Sequence, residues 1–144
     1  MENKAAIKLI DKILANLDKT GINTDILIDD IKQLRTYALE AQIPLVVKVL
    51  RLTYEHIEEY GSFLIPMLVD EDDDTEVENE PVESLKYLIS LIKNLNNKIN
   101  VSDLKEYRDL LNNFWLNWSI LLKLIINKTV WEGCLFILKY LVNS

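Results

Sequence analysis

Apolar side chains between Ala6 and Leu17 recur at the three- and four-residue steps of an amphipathic helix. Ala6, Ile10, Ile13, Leu14 and Leu17 share one face and Lys4, Lys8 and Lys12 another, predicting a first helix from about Asn3 to Asp18. Gly21 supplies its stop. Thr24 then offers an N-cap hydroxyl, Asp25 sits in the first turn, and Leu27, Ile31, Leu34, Ala38 and Ala41 carry the period through a second helix. At Ile43-Pro44 the period must break, because the residue before proline is pushed out of helical angles while proline itself is welcome at a helix's first position. A third helix therefore starts at Pro44 and runs through Val46, Val47, Val49, Leu50, Tyr54 and Ile57 to Tyr60, where Gly61 closes it. The run Val46-Val47-Lys48-Val49 has strand-like composition, but helical periodicity flanks it and no hairpin turn adjoins it.

Ser62 to Val69 is apolar yet contains Pro66, which predicts an extended or one-turn segment lying over the core. Residues 70–80 have no hydrophobic period and read as a flexible acidic loop or linker. Pro81 restarts the helical pattern with Leu85, Leu88, Ile89, Ile92 and Leu95, fraying into Asn94-Leu95-Asn96-Asn97. Ser102 is the expected cap of a long fifth helix, with the stripe Leu104, Tyr107, Leu111, Phe114, Trp118, Leu121 and Ile125. Thr129 and Glu132 have capping-box spacing for a sixth helix to about Val142, with Cys134, Ile137, Leu138 and Leu141 inward. The predicted fold is all-α: a helical bundle of five or six helices in a single domain, 1–144, with the acidic loop between the third and fourth. A helical-repeat-like stack is the alternative. Three Gly and three Pro in the whole chain agree with long helices and few turns.

Phe114 to Ile126 is apolar on nearly every side. Leu121, Ile125 and Trp118 align with Phe114, Leu122, Trp115 and Ile126 lie beside them, and Leu116, Ile120 and Leu124 form a third row that points elsewhere. One packing contact cannot cover all three rows, and each large apolar side chain left in water forfeits roughly 1.5–3 kcal/mol. Leu116, Ile120, Leu124 and Trp115 are accordingly candidate interface residues, unless this helix is central to the core. Trp118, Trp131 and Phe136 are the candidate lining of an apolar pocket between the last two helices.

The net charge of −7 is local. Eight acids and no base fall between Asp70 and Glu80, and the other 15 acids and 16 bases nearly cancel. Asp70, Asp72, Asp73 and Asp74 are thus a candidate acidic contact. As a calcium loop the run fails, since Thr75 stands where the turn needs glycine and Pro81 where a bidentate glutamate belongs. His56 is the only histidine and Cys134 the only cysteine, with no nucleophile or metal motif around either, and no glycine-rich phosphate loop occurs. No catalytic, cofactor-binding or metal residue is therefore assigned, although carboxylate pairs on separate helices leave no sequence trace. Lys86, Lys93, Lys98, Lys105 and Arg108 are scattered, which disfavours nucleic acid as a partner. The start of the chain shows no signal-type apolar block and no stretch reaches membrane-spanning length, so the expectation is a cytoplasmic protein with no membrane partner. The function expected is a small protein-interaction module, inhibitor-, immunity- or adaptor-like, acting by binding to a protein partner or to itself as a homo-oligomer. The alternative is a small-molecule or lipid binder using the apolar pocket.

Overall fold

The computed structural model describes residues 1–68 and 80–126, the side chains of 115–126 excepted. It contains five helices and, among the described residues, no strand: α1 (Lys4–Thr20), α2 (Thr24–Glu40), α3 (Pro44–Tyr60), α4 (Pro81–Lys93) and α5 (Lys98–Ile126). The sixth helix expected from Thr129 onward lies outside the described residues. The chain divides into two compact units, Met1–Leu111 and Asn112–Ser144.

Within the first unit, α1, α2 and α3 are each 17 residues, or about 25 Å, long. Two helix starts differ from expectation. Asn23, not Thr24, is the N-cap of α2. In α5, the Asn97 side chain accepts from the Ile99 amide at 2.9 Å, so the helix begins ahead of Ser102, the expected cap. Pro44 and Gly61 bound α3 as the sequence predicts, with Gly61 in the left-handed region at φ 68° and its N–H donating to the Ile57 carbonyl.

Consecutive helices α1, α2 and α3 pack as neighbours, but α4 returns to α1. Lys86 meets Asp18 and Lys93 meets Asp11 across that antiparallel contact. A one-dimensional stack would lack such a return, so the unit is a closed bundle. Its core is formed by Ile10, Ile13 and Leu17 of α1, Ile31 and Leu34 of α2, Val49, Leu50 and Ile57 of α3, Leu85, Leu88 and Ile89 of α4, and Leu104 and Tyr107 of α5. Ala41, expected on the inner face of α2, is exposed, and Leu95 lies past the end of α4.

Residues 62–68 close the bundle. Phe63 and Ile65 are buried, the Phe63 ring lies against His56 and Tyr107, and the Ser84 hydroxyl donates to the Ile65 carbonyl at 2.7 Å. An irregular segment can be buried only when its backbone groups find partners, and Ser84 supplies one.

Candidate functional site

α2 and α3 form an antiparallel hairpin turned by residues 41–43. Lys32 pins its middle, with Nζ 3.2 Å from Glu58 and 5.2 Å from the centre of the Tyr54 ring. The turn itself is a Schellman closure: the Gln42 N–H donates to the Leu39 carbonyl and the Ile43 N–H reaches back to Ala38. That closure needs a left-handed residue, and Gln42 adopts φ 58°, the only non-glycine with positive φ among the described residues. Glycine would do so without steric cost, so Gln42 holds local strain.

Beside their buried stripes the two helices carry a second set of aligned positions. On α2 these are Asp25, Ile28, Lys32, Arg35 and Leu39, and on α3 they are Pro44, Val47, Arg51, Tyr54 and Glu58, each advancing in alternating steps of three and four. Such positions stay within roughly 120° of one another on a helix, so each helix sets one face on the outer side of the hairpin, a shallow groove that holds two separate depressions. At the turn end the groove deepens into a cleft of about 410 Å³ lined by Arg35, Lys48 and Arg51 around Leu39, Ile43 and Val47, with Gln42 and Pro44 at its rim. Leu39 is 50% exposed there. At the other end a depression of about 530 Å³ is lined by Asp25, Asp29, Glu58 and Lys32. The outer side of the hairpin is therefore basic around an apolar patch at the turn end and acidic at the other end, with Lys32 over Tyr54 between them.

The basic end is electrostatically uncompensated. No carboxylate among the described residues pairs with Arg35, Lys48 or Arg51. Arg35 lies toward the C-terminal end of α2, where a cation is favourable, but Lys48 and Arg51 lie in the N-terminal half of α3. That helix has no acid in its first turn and no side-chain cap, so its positive end is unneutralised. The Arg35 Nε is buried with no hydrogen-bond partner among the described residues. A guanidinium cannot shed its proton, and an orphaned buried donor costs about 1–3 kcal/mol.

Elsewhere, the Tyr107 hydroxyl is the other buried side-chain polar atom without a hydrogen-bond partner among the described residues. His56 is buried, its Nε2 accepts the Leu64 N–H at 3.1 Å, and burial pulls its pKa down to about 4, so at neutral pH it is a neutral acceptor in a structural role. Burial pushes the Tyr107 hydroxyl above its ordinary value. A small recess of about 90 Å³ under Gly21 holds Asp30, which is paired with Lys12. Among the described residues no group of histidine, cysteine and carboxylate side chains could hold a metal ion, and no helix is long and apolar enough to cross a membrane.

The residues singled out from the sequence fall elsewhere. Trp115, Leu116, Trp118, Ile120 and Leu124 are on α5 in the second unit, with side chains outside those described. Trp131, Phe136, Asp70, Asp72, Asp73 and Asp74 also lie outside the described residues. Sequence reasoning missed the groove because its charges look like a solvated face on each helix taken alone. The detectable signal was the matched three-and-four spacing on two helices joined by a short turn.

No protein family, curated protein or solved structure matches the chain. The functional reading rests on the groove.

Proposed function

We propose that the protein is a helical protein-interaction module acting by binding, and that the outer groove of α2 and α3 docks one amphipathic helix of a partner. The observation that carries this reading is the polarity of the hairpin's outer side: Arg35, Lys48 and Arg51 around Leu39, Ile43 and Val47 at the turn end, Asp25 and Asp29 at the other, and Lys32 over Tyr54 between them. Helix-in-groove recognition needs this combination, with apolar anchors at helical spacing for affinity and flanking charges for direction. The partner helix carries acids at the end that meets Arg51 and bases at the end that meets Asp25. Exposed ion pairs are each worth only about 0–1 kcal/mol, so most affinity comes from covering Leu39 and its neighbours and the charges set orientation.

Two labelled helical peptides of identical composition test this, one with acids at the N-terminal end and bases at the C-terminal end, the other reversed. Fluorescence anisotropy is expected to show one polarity binding about tenfold tighter at low salt, with the preference shrinking as salt rises. Equal affinity for both, or no binding of either, refutes the reading. Sedimentation equilibrium of the protein alone tests the rival occupant, a second copy of this chain. A dimer abolished by Arg51→Glu would replace the foreign helix with that copy.

A further inference from the structure

We infer that the elbow between α2 and α3 is a carboxylate-binding site, in which Arg35, Lys48 and Arg51 share one oxyanion while its aliphatic stem lies on Leu39, Ile43 and Val47. This rests on the groove reading for its natural source, the acidic end of the docked helix, but three separate observations support it. Arg35, Lys48 and Arg51 line one cleft, and none of them pairs with a carboxylate among the described residues, so an anion entering it would be held by the guanidinium and ammonium groups. Lys48 and Arg51 lie in the N-terminal half of α3, a helix with no acid in its first turn and no side-chain cap, so nothing at that end offsets an anion's attraction to them. Gln42 keeps a strained left-handed conformation at the rim of the cleft, a position glycine would fill without strain but without a side chain. A guanidinium fork meets a carboxylate through two parallel bonds, so Arg35 and Arg51 favour that geometry over a spherical anion such as chloride.

A free small carboxylic acid and a side chain of the partner helix offer the same chemistry, and the test separates them. Nitrogen–proton NMR spectra resolving the Arg35 Nε–H are recorded while sodium hexanoate is added, with sodium chloride at equal ionic strength as the control. The expected result is a saturable shift at the Arg35 Nε–H and at the Leu39, Gln42 and Val47 amides with hexanoate and none with chloride. Arg51→Gln and Arg35→Lys, the second keeping the charge but losing the fork, each weaken it about tenfold or more, while Lys105→Gln, on the exposed face of α5, leaves it unchanged. Because Arg51 is exposed, its variant tests the site even if Arg35→Lys proves unstable. An equal shift with chloride, or one indifferent to Arg51→Gln, overturns the proposal. If the polarity-matched helix binds but hexanoate leaves Arg35 unmoved, the groove stands and the carboxylate site falls. If hexanoate saturates while both helices fail, the site stands with a small acid as its source and the helix-docking reading falls.

Discussion

Acidification should destabilise the first unit through His56. His56 is 6% exposed, its ring lies 4.8 Å from Tyr60 and 5.7 Å from Phe63 between ring centres, and its Nε2 accepts the Leu64 N–H. Protonation would bury a charge and turn that acceptor into a second donor facing the Leu64 amide. The folded-state pKa is accordingly about 4, against an ordinary value of 6.5. With the folded value depressed, the unfolded chain binds a proton that the native state refuses as pH falls below 6.5. The stabilisation from a neutral His56 is therefore complete above 6.5, declines between 6.5 and about 4, and levels off below. The ceiling is about 3 kcal/mol, of which about 2 kcal/mol is lost by about pH 4.5, short of the folded-state value of about 4. Urea unfolding from about pH 7 to about pH 4.5 measures it, with His56→Gln as the reference. Glutamine cannot titrate and can still accept from Leu64, so the difference between the two curves removes the carboxylates that also titrate there. Wild type should lose its advantage over His56→Gln as pH falls. Parallel curves would refute the reasoning.

Three further outcomes are expected. Ser84→Ala orphans the buried Ile65 carbonyl, and chemical denaturation should show a loss of about 1–3 kcal/mol, with hydrogen exchange rising first in residues 62–68. Gln42→Gly relieves the left-handed strain at the elbow and should raise stability by about 0.5–1 kcal/mol in a thermal melt while weakening hexanoate binding, a stability and function split that Gln42→Ala would not show. Leu34→Ala, at a position with no solvent exposure, should cost about 2–5 kcal/mol in urea unfolding, whereas Asp11→Ala, which breaks an exposed pair with Lys93, should cost less than about 1 kcal/mol.

The helices of the first unit were legible because local chemistry decides them. Pro44 can start a helix and not continue one, Gly61 can take the left-handed angle that ends it, and the apolar stripes of α1 to α4 have few competing registers. Both misplaced starts err toward a hydroxyl: Thr24 directly follows Asn23, whose backbone starts α2 without a side-chain cap bond, and Ser102 lies five residues past Asn97, whose side chain caps α5, so residue type alone does not decide the start. Other features are tertiary. The burial of His56 depends on the fold of residues 62–68 over it, and the pairing of α4 with α1 depends on a return across the 60 residues between Thr20 and Pro81. The groove shows the limit most clearly. Arg35 on α2 and Arg51 on α3 are unremarkable surface cations until the antiparallel register brings them to one cleft. The apolar surplus of Phe114 to Ile126 points to α5, where the side chains from 115 on lie outside those described, and the proposal rests instead on unpaired charge at the elbow.

The central claim is tested most directly by reversing the groove. A protein carrying Asp25→Lys, Asp29→Lys, Lys48→Glu and Arg51→Glu changes only exposed side chains, so the bundle should remain intact by circular dichroism. Anisotropy with the two helices of opposite polarity should then show the preference inverted relative to wild type. An unchanged preference, or none in either protein, would contradict docking in this groove.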